Sequence, residues 1–449
     1  MSIGLIVALS VFLIGLVSAI PMAWLFLGAP YFGTIADGAN PGFIPGTFYH
    51  AINNSTMLAI AFFVYAGSLI SVSGLADRIV RFSYALVGKI RGGMGAVAVV
   101  ATLFMSTLTG SAMPSISALV PLLVPRLKKF GYQAKYTTAI LCSTSFLGYL
   151  IPPSIPALIY CLLTQQSVAA VFLSTLFPGL LLAFGYCILN YFICPQYIDK
   201  SLITEEIPGS ENFSARAKEI GISGWYALPA FGCPLLILVG IYGGFCTPSE
   251  AGSLAVVYCL FVGFFVYREL TLKKFWGATF STLISMGVIV VLIAGGTVFA
   301  RYLVRVGVAQ DLANFMLGMF DSRILILLTV NVFFLFIGMF IEAAPVLILG
   351  VPLVLPLMQA IDMNLVHLGA IVIVNIGLGV MTPPFAMSIF IGSRLSGCSY
   401  SELLPIMMKF FFWVGLPVLL LTTYFPALSL WLPTQVLGAQ VVGPWSRLW

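Results

Sequence analysis

The sequence predicts an all-α protein that crosses a membrane many times. Of its 449 residues, 61% are hydrophobic and only 8% are charged, against roughly 45–50% and about 25% in soluble domains. The apolar residues form continuous runs, such as residues 235–241 and 288–294, without the alternation of β-barrel strands. Because a bilayer offers backbone groups no hydrogen-bond partner, these runs must be helices.

Residues 1–91 are predicted to form N-terminal scaffold spans. Residues 3–30 are one long or two short spans, retained because they lack a basic segment and a convincing cleavage site. A further span is expected over residues 56–73. Residues 76–91 mix charged side chains with Leu, Ile, Val and Phe, which predicts an amphipathic helix in the interface.

Residues 92–165 contain two interrupted apolar segments. The first, between Lys89 and Arg126, is interrupted at residues 107–114. Its two arms of roughly 15 residues reach only about 22 Å, short of a ~30 Å hydrocarbon core, which predicts a re-entrant hairpin. The second, residues 137–165, is interrupted at residues 148–156 by a glycine and several prolines. Because prolines remove backbone donors, it is predicted to be a broken transmembrane helix.

Residues 166–320 are predicted to return to scaffold spans. The spans are expected at residues 168–194, 224–243, 248–267 and 277–303. The polar stretch over residues 197–222 is interpreted as a linker between two halves. Thr247 and Glu250 have the spacing of a capping box that opens the span at residue 248.

The second half of the chain repeats the first. A shift of 231 residues superimposes six prolines and glycines of the first repeat on the same residue types: Pro114, Pro121, Pro125, Gly148, Pro152 and Pro153 on Pro345, Pro352, Pro356, Gly379, Pro383 and Pro384. This internal duplication predicts a second repeat over residues 323–397. It contains a hairpin at residues 323–360 and a broken helix at residues 366–397. A C-terminal span and tail follow over residues 398–449.

The two repeats are expected to be inverted in the membrane. The first hairpin base is basic, whereas the second carries Asp321, Arg323 and Asp362. Because positive residues favour the cytoplasm, the two bases should lie on opposite sides. Inverted repeats with broken helices that meet at mid-membrane are typical of secondary transporters.

Four interruptions at matched places predict two binding regions. Non-helical backbone at membrane depth must be buried in protein or line a wet cavity. Each hairpin tip should face a helix break, where freed carbonyls suit a cation and helix N-termini suit an anion. In the first region the candidates are Thr107, Thr109, Gly110, Ser111 and Ser115 at the tip, and Ser143, Thr144, Ser145 and Gly148 at the break. In the second region they are Gly338 and Glu342 at the tip, and Asn375, Gly379 and Thr382 at the break. The alternative is that these small residues only permit close helix packing.

The residue types favour Na⁺ over H⁺ as the coupling ion. Proton relays use chains of Asp, Glu or His. Acidic residues are almost absent from the apolar segments, where Glu342 is the clearest exception, and the chain has only two histidines. Glu342 is a candidate to neutralise the ion, to recognise substrate, or to face a helix N-terminus. His367 is interpreted as structural. Arg394 has two alternative roles, a clamp for a carboxylate or sulfonate and a snorkelling side chain.

Other classes of protein fit the sequence less well. Membrane enzymes usually need clustered Asp, His or Cys at membrane depth, so we expect no enzymatic activity. The eight cysteines fall mainly within apolar runs and are interpreted as packed thiols. The net charge is +6, and most of the basic residues lie in short loops. This pattern is typical of the cytoplasmic loops of membrane proteins rather than of nucleic-acid binding. A passive channel stays possible, but it would not accumulate substrate.

Five segments of the chain resemble the large membrane subunit of TRAP (tripartite ATP-independent periplasmic) transporters and occur in the same order as in that family. They are Gly110–Ala112, Ile151–Pro156, Gly240–Glu250, Thr382–Pro384 and Tyr424–Pro433. The resemblance implies a bacterial inner-membrane, Na⁺-driven importer of organic anions with an elevator-type transport domain. It also implies two partners, a small four-helix membrane subunit and a periplasmic substrate-binding protein. A standalone Na⁺- or H⁺-coupled transporter of the same elevator class is the alternative.

The resemblance assigns roles to the two candidate regions. Two or more Na⁺ ions are expected at Thr107, Gly110, Ser111, Ser143, Thr144, Gly148, Gly338, Ile341, Gly379 and Thr382. Substrate is expected at Ser115, Ser145, Pro153, Glu342, Asn375, Pro384 and Arg394. The tail over residues 434–449 extends beyond the usual end of the family, and the sequence suggests no role for it.

Overall fold

The computed structural model describes residues 2–88, 92–203 and 213–446, and nearly all of them are helical. Eight helical segments within these ranges are long and apolar enough to cross a membrane. The predicted all-α polytopic class is confirmed. Two features of the sequence lie outside the described residues, namely the basic pair Lys89 and Arg91 and residues 204–212 of the predicted linker.

The N-terminal part contains five helices. Residues 3–30, predicted as one long or two short spans, form two short helices separated at Pro21. The predicted amphipathic helix is α5, which buries Leu75 and Ile79 and exposes Asp77 and Arg81. The bounds are α1 (Ile3–Val17), α2 (Met22–Ala36), α3 (Phe43–Ile52), α4 (Ser55–Val72) and α5 (Leu75–Val87).

The first hairpin and the first broken helix form as predicted. Each hairpin arm has 17 residues, or about 25 Å of helix, which is shorter than a ~30 Å hydrocarbon core. The tip is the dipeptide Gly110-Ser111. The bounds are α6 (Gly93–Thr109) and α7 (Ala112–Lys128) for the hairpin, and α8 (Ala134–Thr144), α9 (Leu147–Leu150) and α10 (Ile155–Thr164) for the broken helix.

The prediction of a linker over residues 197–222 is wrong at both ends. Strand β2 (Ile198–Ile203) pairs antiparallel with strand β1 (Phe130–Tyr132), which precedes α8. The polar stretch contains β-branched residues that suit a short paired strand, a signal that its overall polarity obscured. At the other end, residues 213–222 already belong to a long helix.

Five further helices connect the two hairpins. Thr247 and Glu250 form the predicted capping box, since the Thr247 amide donates to the Glu250 carboxylate at 2.7 Å. A π-helical turn over Val262–Val266 extends α13. The bounds are α11 (Val168–Ile193), α12 (Phe213–Tyr242), α13 (Pro248–Phe261), α14 (Leu272–Arg305) and α15 (Val308–Met319).

The second repeat reproduces the helices of the first. The hairpin is α16 (Arg323–Gly338) and α17 (Ala343–Ala360), and the broken helix is α18 (Leu365–Val380) and α19 (Met387–Ser396). The bounds that follow are α20 (Tyr400–Phe410), α21 (Leu416–Tyr424), α22 (Pro426–Leu437) and α23 (Ala439–Val442). A shift of 231 residues also places α5 on α15 and α11 on the pair α20–α21. The duplication therefore extends beyond the predicted repeats on both sides.

The two broken helices run antiparallel to each other. Tyr160, late in the first, donates a hydrogen bond to the Leu365 carbonyl at the start of the second. Cys142, early in the first, donates to the Ser388 carbonyl beyond the second break. Between these contacts the Phe146 ring packs on Gly377. Since the two helices are equivalent copies, their opposite directions mean that the repeats are inverted, as predicted.

Helix α11 packs with the first hairpin and the two broken helices. The sequence assigned it to the scaffold, but its neighbours include α6, α10, α18 and α22. The scaffold helices α12 and α13 pack on each other and on α4 and α5 instead. The predicted boundaries between scaffold and transport domain stay predictions, and this packing places α11 beside the transport elements.

Candidate functional site

The first hairpin tip contacts the first helix break through backbone atoms. The Gly110 carbonyl accepts a hydrogen bond of 3.2 Å from the amide of Ile155. A Cβ on Gly110 would stand 2.5 Å from the Pro153 carbonyl oxygen, and one on Gly148 would stand 2.8 Å from the Ser111 carbonyl oxygen. Close approach therefore requires glycine at both positions, and the φ of 60° at Gly110 favours it further.

Two buried hydroxyls near this contact have no hydrogen-bond partner among the described residues. Ser106 Oγ lies one turn before Gly110, and Ser143 Oγ lies near the end of α8. A buried hydroxyl without a partner costs roughly 1–3 kcal/mol, so each oxygen is available to a ligand. The sequence identified Ser143 but missed Ser106, because a lone serine in an apolar helix looks the same as a packing residue.

Most of the other predicted hydroxyls of this region already donate to the chain. Thr107, Ser115, Thr144 and Ser145 each donate to a backbone carbonyl three or four residues earlier, at 2.7–3.2 Å. A hydroxyl that donates keeps its acceptor lone pairs. These oxygens can therefore still coordinate a cation, but they have no free proton for a substrate anion.

The second tip and the second break meet in the same way. A Cβ on Gly338 would stand 3.2 Å from Gly379 Cα. Thr382, within the break, donates to the Leu378 carbonyl at 2.6 Å and keeps its oxygen lone pairs. Ile341 is half-buried at the tip. The structure thus brings together Gly338 and Gly379, as the sequence predicted.

Glu342 is an exposed carboxylate at the second tip. It occupies the N-cap of α17, but its side chain does not bond to that helix. No hydrogen bond or ion pair holds its carboxylate within the described ranges. The carboxylate is therefore accessible to a ligand at the second tip.

Asn375 belongs to a buried polar network next to the second region. Its Nδ2 donates to Asn331 Oδ1 at 2.6 Å and to the Ile371 carbonyl at 2.9 Å. Asn331 Nδ2 in turn donates to Thr423 Oγ1 at 3.0 Å. The Asn375 Oδ1 atom has no partner in the described structure. The sequence missed Asn331, since nothing marks a single amide in a hairpin arm as the neighbour of Asn375.

The structure does not bring the remaining predicted substrate residues together. Pro153 is buried under Gly110, and the exposed Pro384 accepts a hydrogen bond at its carbonyl from Tyr400. Arg394 is exposed in the last turn of α19. The neighbouring Gly392 packs on Cys142 and Thr138 of α8. Arg394 therefore lies beyond the second break, on a helix that packs against α7 and α8.

Two cavities separate the first hairpin from the scaffold. An apolar cavity of about 240 Å³ lies against the first break, between Thr107, Pro152 and Tyr242. A larger polar cavity of about 980 Å³ lies at the basic end, between α5, the hairpin base and α12, and its lining includes Arg81 and Arg126. Beside these cavities the Phe104 ring of the hairpin packs edge-on against Phe231 of α12, with the ring centroids 4.9 Å apart.

The comparisons with known proteins agree with these features. Residues 3–428 match the family model described as "Tripartite ATP-independent periplasmic transporter, DctM component". The chain is 33% identical over 391 residues to the sialic acid TRAP transporter large permease protein SiaM of Vibrio cholerae, covering 86% of this chain and 88% of SiaM.

A second relative and a solved structure extend the likeness. The chain is 30% identical over 421 residues to the isethionate TRAP transporter permease protein DctMQ of Oleidesulfovibrio alaskensis, covering 93% of this chain and 65% of that protein. The crystal structure of the Alcanivorax borkumensis YdaH transporter superposes with a TM-score of 0.59 at 15% identity, covering 89% of both chains. That likeness concerns the fold alone.

Proposed function

We propose that this chain, which belongs to the DctM family of tripartite ATP-independent periplasmic transporters, imports an organic anion across the bacterial inner membrane by coupling it to Na⁺. Membership makes it a multi-pass membrane permease for organic acids, and a transport role is proposed in place of an enzymatic one. The relatives named above are transporters of sialic acid, a carboxylate, and of isethionate, a sulfonate. Both classes of anion are candidates for this chain.

The observation that carries Na⁺ coupling is the paired contact of hairpin tip and helix break. Gly110 meets Pro153 in one repeat, and Gly338 meets Gly379 in the other. Such contacts place helix ends, with their unpaired backbone carbonyls, inside the protein. The free hydroxyls of Ser106 and Ser143 add neutral oxygens to the first region. Neutral oxygens suit Na⁺, which supports two sites and at least two Na⁺ ions per cycle.

The substrate anion is proposed to bind between the two tips. Helix α7 begins at Ala112 and helix α17 begins at Ala343, so both tips present helix N-termini. Helix N-termini attract anions. Glu342 stands among these groups and is proposed to counter the charge of the bound cation, so that the anion binds after Na⁺.

An elevator movement of the two hairpins and broken helices past the scaffold is the proposed transport step. The two cavities between the first hairpin and α12 support it, because they confine the packing between these elements to contacts such as Phe104 on Phe231. Helix α11 and the pair α20–α21 are proposed to move with the hairpins. The small four-helix membrane subunit and the periplasmic binding protein are the proposed partners.

Uptake into proteoliposomes tests this function. The chain is reconstituted with its small membrane subunit and supplied with sialic acid, isethionate or a C4-dicarboxylate under an inward Na⁺ or H⁺ gradient. Uptake that needs both Na⁺ and the binding protein would support the proposal. Uptake driven by Na⁺ without a binding protein would favour the standalone alternative. Uptake driven by H⁺ alone would contradict the ion assignment.

A further inference from the structure

The C-terminal tail folds back onto the start of the second broken helix. Two glycines make this turn: Gly438 has φ 83° and ψ 157°, and Gly443 has φ 79° and ψ −179°. Only glycine adopts this region of backbone space readily. Between them the short helix α23 buries Val442 against Ala170, Val366 and Leu430. The tail is therefore a folded part of the protein with its own small apolar core.

Asn364 holds the tail and the helix with different atoms of one side chain. Its Oδ1 accepts hydrogen bonds from the amides of Val366 and His367, which caps the N-terminus of α18. Its Nδ2 donates to the carbonyls of Val442 and Pro444, both at 2.8 Å. The four contacts fix the orientation of the amide. The side chain thus joins the first turn of α18 to the tail.

Two further contacts complete the attachment. The backbone amide of Asn364 donates to Ser446 Oγ at 3.0 Å. The buried His367 ring donates from Nε2 to the Thr422 carbonyl at 2.8 Å, so the structural role predicted for this histidine agrees with its position. Helix α18 is therefore held at its start by the tail on one side and by α21 on the other.

We infer that residues 439–446 are a clamp that positions the second broken helix, and that Asn364 is its positioning residue. Helix α18 is buried along its length and runs without interruption from Leu365 to the break. A shift at its start therefore moves Gly379 relative to the second hairpin tip. The family model ends at residue 428, so the clamp is an addition to the matched region. Its effect on Na⁺ rests on the proposed function.

Because Asn364 caps α18 with Oδ1 and binds the tail with Nδ2, substitutions can test the effect of the clamp separately from that of the cap. Asn364→Asp keeps the acceptor for the α18 amides but has no donor for the tail carbonyls. Asn364→Ala removes both. A chain that stops after Gly438 removes the tail alone, and Gln440→Ala, at an exposed position of the tail, is the matched control.

Hydrogen–deuterium exchange of the purified full chain gives the first readout. We expect faster exchange in residues 365–372 in Asn364→Asp and in the shortened chain, by about tenfold, and no change in Gln440→Ala. Faster exchange in Asn364→Ala alone would mean that only the cap matters and would overturn the clamp. This readout does not depend on transport.

The Na⁺ concentration for half-maximal uptake gives the second readout. We expect it to rise about fivefold in Asn364→Asp and in the shortened chain, with amounts in the membrane unchanged. An unchanged half-maximal concentration in both, with Na⁺-dependent wild-type uptake, would overturn the positioning role. If wild-type uptake does not depend on Na⁺, the proposed function fails, and the exchange experiment decides the clamp by itself.

Discussion

Gly338 and Gly379 face each other so closely that a Cβ on Gly379 would stand 2.7 Å from Gly338 Cα. Neither neighbour is a flexible side chain, so an added methyl group must separate the second tip from the second break. The distance that defines the proposed second ion site is therefore set by two residues without side chains.

Gly379→Ala should reduce Na⁺-dependent uptake by about tenfold or more, because the tip and the break can no longer approach. Uptake rates and the half-maximal Na⁺ concentration are measured together. Gly287→Ala is the control, since a Cβ on Gly287 meets nothing within 4 Å. Wild-type Na⁺ dependence in Gly379→Ala would remove this contact from the ion site.

Ser106→Ala and Ser143→Ala should each weaken Na⁺ activation several-fold without loss of thermal stability. Neither hydroxyl has a partner in the described structure, so its removal breaks no internal hydrogen bond. Thr102→Val, on the same helix arm as Ser106, is the control, because the Thr102 hydroxyl donates to the Ala98 carbonyl of its own helix. If both serine variants keep wild-type Na⁺ activation, these oxygens are not ligands.

A covalent link between Asp77 and Arg126 should stop transport. This ion pair of 3.1 Å joins α5 to the first hairpin, so it connects a proposed fixed element to a proposed moving one. Cysteines at both positions, bridged by a reversible thiol reagent, should reduce uptake about tenfold or more, and a reductant should restore it.

The control link joins Arg78 to Glu269, which form an ion pair of 2.7 Å outside the hairpins. Bridging cysteines at these positions should leave uptake unchanged. The two links are tested in separate variants. If the variant linked at positions 77 and 126 shows the same uptake as the variant linked at positions 78 and 269, the first hairpin does not move relative to α5.

Arg394→Gln should change the KM for the substrate anion by less than about twofold. Arg394 is exposed in the last turn of α19, ten residues beyond Pro384 of the second break. A guanidinium that bound the anion directly would raise KM by tenfold or more when removed, since charge-assisted hydrogen bonds are worth about 1.5–3 kcal/mol. Measurement of KM at saturating Na⁺ decides between the two roles.

The hairpins and breaks could be predicted because they depend on residue types with strong local effects. Matched prolines mark both features: Pro152 and Pro383 lie in the two helix breaks, and Pro114 and Pro345 lie in the first turn of the second arm of each hairpin. Asp321 and Asp362 at the second hairpin base indicated the inversion, since charge at a base reports the side of the membrane.

The remaining features depend on contacts between distant segments. The sequence did not indicate that α11 packs with the first hairpin and the broken helices, because an apolar span carries no signal of its neighbours. Strand β2 pairs with a segment far away in the chain. The partner of Asn364 is a tail whose composition shows only weak helix signals. Such relationships need the folded chain.

Phe146 and Gly377 have a consequence for the origin of the fold. They are 231 residues apart, so they are the same position of the two copies, and they contact each other. A residue that meets its own equivalent lies on the two-fold axis between the copies. In a symmetric homodimer of single repeats, two phenylalanines would collide there and two glycines would leave a void. One of each fills the space, and a chain that carries both copies can encode that difference, whereas a homodimer of identical repeats cannot.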